Sequence, residues 1–94
     1  MKRQGDILIV KIVRVPEGAV KQQNRVLAEG EATGHAHRLD NGDVYEKGGV
    51  LYFRAEEVVH LNHEEHGQIT FEPGIYKVVR QREYEPEGWR NVAD

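Results

Sequence analysis

Short apolar runs alternate with polar residues along most of this 94-residue chain, and glycine, proline or asparagine interrupts them every few positions. Residues 6–15 (DILIVKIVRV) are rich in Ile and Val and alternate in their second half, which predicts a strand. Pro16, Glu17 and Gly18 end it with turn chemistry, and residues 19–25 read as a loop. Arg25–Glu31 has weak strand character, with Gly30 marking a bulge or bend. A further strand follows Gly34 and runs to Leu39.

Asp40-Asn41-Gly42-Asp43 carries the best hairpin signal, because Asn-Gly readily adopts the positive φ angles of a type I′ turn. Val44–Glu46 is then expected to pair back against Arg38 and Leu39. Lys47-Gly48-Gly49 is another turn, followed by strands at Val50–Arg54 and Glu57–Leu61. Asn62–Gly67 reads as a polar loop or single helical turn, and Gln68–Phe71 as a short strand. Glu72-Pro73-Gly74 suits a turn with Pro second and Gly third. Ile75–Tyr84 is a long last strand, and Tyr45, Tyr52 and Phe53 read as packing residues.

No long stretch carries a helical period. Many short strands with frequent turns predict an all-β fold, a small antiparallel barrel or sandwich. Residues 1–85 are read as one β domain and residues 86–94 as a C-terminal tail, with Trp89 packing back on the core.

Composition narrows the function. The net charge of −3 supplies no global positive field for nucleic acid, although a local basic patch stays open. The absence of cysteine removes disulfides and thiolate zinc sites. The apolar run Ile7–Val10 is too short for the core of a signal peptide, and no stretch is long enough to span a membrane. The expected location is cytoplasmic, away from membranes.

The five histidines fall in two groups. In a strand His35 and His37 share a face, with Ala36 on the other. Such a pair suits a transition metal, or general acid–base work near neutral pH. Surface histidines beside a turn would look the same. His60, His63 and His66 form the second group, with Glu64 and Glu65 as oxygen ligands or orienting carboxylates. It lacks the long helix of the His-Glu-x-x-His metalloproteases, and a solvated polar loop is its plainest alternative. A barrel that set the two groups side by side would give His35, His37 and one of His60, His63 or His66 around an ion with an open position.

On the last strand Tyr76, Val78, Arg80, Arg82 and Tyr84 share one face. Arg80 and Arg82 suit a phosphate or carboxylate, and Tyr84 can stack on a base. Charged residues that keep an edge strand from aggregating give the same pattern.

Gly30–Gly49, with His35-Ala36-His37 inside it, resembles the first motif of the cupins, small β barrels that bind a metal through histidines and a carboxylate. The spacing from Gly30 to His35 is one residue short, and Asp43 or Glu46 would have to replace the expected Glu. The second cupin motif is absent, since no His follows Pro73-Gly74. The combination GEATGHAH, HEEH and GIYKVVRQREY is also similar to a family of small bacterial His-rich β proteins of unassigned function. That resemblance implies that the histidine groups and the Arg80–Tyr84 segment belong to one recurring design.

Three functional expectations follow. The first is a site for a divalent transition metal (Zn, Ni or Fe) built from His35, His37, His60, His63 and His66, catalytic or not. The second is a metal-independent phosphodiesterase or ribonuclease, with His35 and His37 as acid and base beside Arg80, Arg82 and Tyr84. The third is a noncatalytic interaction module. A homo-oligomer is expected under each, and RNA or another anion is the expected ligand of the second.

Overall fold

The chain begins with a tight hairpin that its hydrophobic pattern does not announce. Lys2–Gln4 (β1) pairs antiparallel with Ile7–Ile12 (β2), Gln4 opposite Ile7. Gly5 and Asp6 make the turn, and only Gly5 takes a positive φ, of 60°. Strand β1 escapes a hydrophobicity reading because Lys2, Arg3 and Gln4 are all polar. The computed structural model describes residues 1–29 and 35–80. Gly30, Gly34, Arg82, Tyr84, Trp89 and the tail 86–94 lie outside the described residues.

The remaining strands are β3 (Val20–Lys21), β4 (Val26–Glu29), β5 (Ala36–Leu39), β6 (Asp43–Lys47), β7 (Val50–Ala55), β8 (Val59–Asn62), β9 (Ile69–Phe71) and β10 (Gly74–Arg80). They form two antiparallel sheets. One has six strands in the order β1-β2-β10-β7-β6-β3, the other four in the order β4-β5-β8-β9. The fold is all-β, as expected, and is a sandwich rather than a closed barrel. Among the described residues there is no helix, and so none long and apolar enough to cross a membrane.

Three elements differ from the sequence reading. The first long strand stops at Ile12, opposite Ile75, where its ladder with β10 runs out. Val13 is therefore 87% exposed despite its strand propensity. Val20–Lys21, read as loop, pairs with Tyr45 and Glu46 at the sheet edge.

The third difference is larger. β5 and β6 are not a hairpin, because β5 lies in the four-stranded sheet and β6 in the six-stranded one. Leu39 and Val44 both enter the core, so Asp40–Gly42 carries the chain across the sandwich. Asn41 keeps a negative φ, which rules out a type I′ turn. The type I′ signature sits instead at Gly48-Gly49, where both φ angles are positive and Lys47 pairs with Val50.

The core is filled from both sheets by Ile7, Ile9, Leu27, Leu39, Val44, Phe53, Val59, Leu61, Phe71, Tyr76 and Val78. Phe53 stacks on Tyr76 at 4.9 Å between ring centroids and meets Phe71 edge-on at 5.5 Å. Tyr45 and Tyr52 are a half-buried cross-strand pair. Tyr76 and Val78 face inward, so Arg80, two residues on, stands at the open end of the same face.

The ring cluster makes Phe53 the most exacting core position. Phe53→Ala should lower unfolding free energy by about 3–5 kcal/mol, read as a lower midpoint in urea denaturation. The Tyr52→Ala change, on the half-buried face, should cost clearly less.

Candidate functional site

Gln4 is 3% exposed, and its amide is committed on both sides. Its nitrogen donates to the carbonyls of Leu61 (3.0 Å) and Gly67 (2.7 Å), in the four-stranded sheet and the loop leaving it. Two carbonyl acceptors require the NH₂ group on that side. The Gln4 oxygen is thereby turned to His37, 2.7 Å from its Nδ1. A carbonyl oxygen only accepts, so His37 carries a proton on Nδ1, and neutral His37 has a bare lone pair on Nε2.

That lone pair faces a carboxylate. Oδ1 of Asp6 lies 3.4 Å from Nε2 of His37, and Oδ2 of Asp6 lies 3.6 Å from Arg80. His37 is almost fully buried. Burial first, and His63 next, push its pKa down to about 4 against the pull of Asp6. The imidazole is therefore neutral at pH 7, and two acceptors confront each other across the gap. Gly5 makes the approach possible. A Cβ there would lie 2.8 Å from Nε2 of His66 and 3.2 Å from Cε1 of His37.

The other histidines arrive by strand register. β5 pairs with β8 as Arg38 opposite Asn62 and Leu39 opposite Leu61. The same register carried past the ladder sets His63 opposite His37, Glu64 opposite Ala36 and Glu65 opposite His35. The contacts follow it. The rings of His37 and His63 are 4.3 Å apart, Glu64 accepts from the Ala36 amide at 2.9 Å, and Glu65 lies 3.4 Å from His35. Glu64 also holds Arg38 at 3.0 Å. The Ala36 amide first, then the amide of Glu64 itself and Arg38, draw the Glu64 pKa down to about 2. His66, three residues on, is 4.5 Å from His63 and 6.1 Å from His37. His35 meets His63 at 5.7 Å. The Glu65 amide donates to Nδ1 of His63, which leaves that ring's proton on Nε2. Burial, then His66, lowers the pKa of His63 as well.

Four of the five histidines thus form one patch at a corner between the sheets. His60 sits elsewhere. Val59 and Leu61 fill the core, so His60 between them points outward, where Asp40 takes both its ring Nδ1 and its amide at 2.8 Å. Arg80 reaches the patch through Asp6. Arg82 and Tyr84 lie outside the described residues. Among the described residues, no group of three or more His, Asp or Glu side chains stands in an arrangement that could hold a metal ion as it is. Two surface grooves beside Gly42 and Asp43 contain no histidine in their walls.

Gln4, Gly5 and Asp6 are the site residues that the sequence reading missed. Gly-Asp set between two strand-length segments is a recognised two-residue hairpin signal, and it would have exposed this turn.

The buried His37 makes stability depend on pH. With a pKa lowered from 6.5 to about 4, the folded state binds fewer protons than the unfolded state between those values. Unfolding free energy in EDTA should therefore rise from pH 4 to pH 6.5, by roughly 3 kcal/mol from this group alone. His63 acts in the same sense. Chemical denaturation at a series of pH values checks it, and His37→Gln should flatten most of the slope.

No curated protein and no solved structure matches the chain. A family model does, over residues 3–81, which hold all the residues of the corner just described, and the chain belongs to that family, described as Domain of unknown function (DUF8820).

Proposed function

We propose that the corner is a binding site for a divalent transition metal, with His37, His63 and His66 as imidazole ligands and His35 at the rim. The observation that carries this reading is the Nε2 lone pair of His37, nearly buried, fixed in its tautomer by Gln4 and aimed at a carboxylate. A cation in that gap turns two opposed acceptors into two ligands. The hydrogen bond from Nδ1 to Gln4 is the kind of outer support that metal-bound histidines usually have.

Ring spacing supports the same reading. Imidazoles bound to one tetrahedral ion at ordinary bond lengths have centroids about 5 Å apart. The three separations among His37, His63 and His66 are 4.3, 4.5 and 6.1 Å, which bracket that value. His63 joins by rotating its ring and exchanging the Glu65 amide for the ion. Glu64 and Glu65 keep the loop seated on β5 while it does so.

Metal-free acid–base chemistry on RNA or another anion is a second reading, favoured by Arg80 standing beside Asp6 and His37. It is weaker, because a histidine with a pKa near 4 is a poor proton donor at neutral pH.

Elemental mass spectrometry of untagged protein, dialysed against Zn²⁺ or Ni²⁺, decides between them. One bound metal per chain is expected. The His66→Ala change, at an exposed position, should weaken binding without loss of fold, and the outward-facing His60→Ala should leave it unchanged. No retained metal in wild type, with RNA cleavage persisting in EDTA, would replace the metal reading by the second.

A further inference from the structure

Resting on that metal reading, we infer that Asp6 is the carboxylate ligand that completes the coordination shell, so that the ion is structural and clasps the two sheets. The distance from Oδ1 of Asp6 to Nε2 of His37 is 3.4 Å. Two ligand atoms bound to one tetrahedral zinc-class ion at about 2.0–2.1 Å lie about 3.3–3.4 Å apart. One edge of the tetrahedron is therefore already in place, and it joins the two atoms that have no proton to share. The separation is too long for a hydrogen bond of ordinary strength.

The two oxygens of Asp6 have separate partners. Oδ2 faces Arg80 and Oδ1 faces His37. Arg80 stands 3.6 Å from the far oxygen, an ion-pair distance from which it can favour the carboxylate's charge and orientation. Among the described residues its buried Nε has no hydrogen-bond partner, and the guanidinium nitrogen is the atom turned to Asp6.

The placement of the ligands carries the functional consequence. Asp6 sits in the β1–β2 turn of the six-stranded sheet. His37 is on β5 of the four-stranded sheet, and His63 and His66 lie in its β8–β9 loop. Three imidazoles and one carboxylate fill four positions, which is the closed form of a structural zinc-type site. An ion held so ties the first hairpin to the opposite sheet and presents no position for substrate.

Cobalt tests this, since Co²⁺ in such a site has visible bands that report its coordination. EDTA-treated full-length protein would be titrated with Co²⁺ with and without azide, alongside Asp6→Asn and Asp6→Glu, with circular dichroism to verify the fold of each. Wild type should take one Co²⁺, give a spectrum that azide does not change, and unfold at higher temperature with the ion. Asp6→Asn should bind about tenfold or more weakly, lose most of that thermal shift and become azide-sensitive, and Asp6→Glu should recover part of the affinity. Equal affinity and an identical spectrum in Asp6→Asn would overturn the role of Asp6 while leaving the metal reading standing. An azide-sensitive wild-type spectrum would overturn the closed shell. Absence of Co²⁺ binding in wild type would overturn both the metal reading and this inference.

Discussion

The architecture turns on one buried amide. Gln4 belongs to the six-stranded sheet, yet its NH₂ group binds two carbonyls of the opposite sheet and its following loop, and its oxygen binds an imidazole there. A buried amide left without partners costs on the order of 1–3 kcal/mol per unmet group, so the three contacts stand or fall together. They fix where β1 lies, and β1 sets the turn that presents Gly5 and Asp6. They also fix which nitrogen of His37 is free. A polar side chain thus sets the geometry of the corner that Gly5, Asp6 and His37 share.

Strand alternation explains which histidines share the site. Leu39 and Leu61 are opposite each other and both face inward. Two residues on along each strand direction, His37 and His63 face the same way, at the margin of the core rather than in it. One residue the other way, Asp40 and His60 face outward and satisfy each other. The same register produces a candidate site at one end and an ordinary surface hydrogen bond at the other. The difference lies in burial: His37 is held neutral inside, whereas His60 shares the surface with a carboxylate.

Much of this was legible in the sequence, and the failures have physical causes. The strands β7, β8 and β10 stand out as short apolar-rich runs bounded by turn residues, and the parity that places Arg80 on the face of Tyr76 and Val78 is correct. The Asn41-Gly42 signal misled because a dipeptide specifies a local bend and not the sheet to which the next strand belongs. That was settled by Leu39 and Val44, which enter the core from opposite sheets. Histidine density singled out the segments that meet at this corner. It could not separate His60 from His63, since that requires knowing which face of β8 is buried. Asp6 and Gln4 were invisible because their partner is 31 to 33 residues away, and no local pattern encodes so distant a contact.

The corner is a poor arrangement if stability is all it serves. A neutral histidine facing a carboxylate, with the carboxylate's other oxygen turned to an arginine, sets three polar groups side by side at the margin of the core. Replacing buried polar pairs by apolar residues of similar volume is often neutral or stabilising. The arrangement is also over-determined, since Gln4 holds one side of the imidazole, the register of β5 and β8 sets another, and a glycine clears space at the third. Constraint of that degree around a nitrogen facing a carboxylate suits the ligand site proposed above. Under that proposal a cation between Asp6 and His37 would turn the two facing groups into ligands, with the loop carrying His63 and His66 adjusting to it.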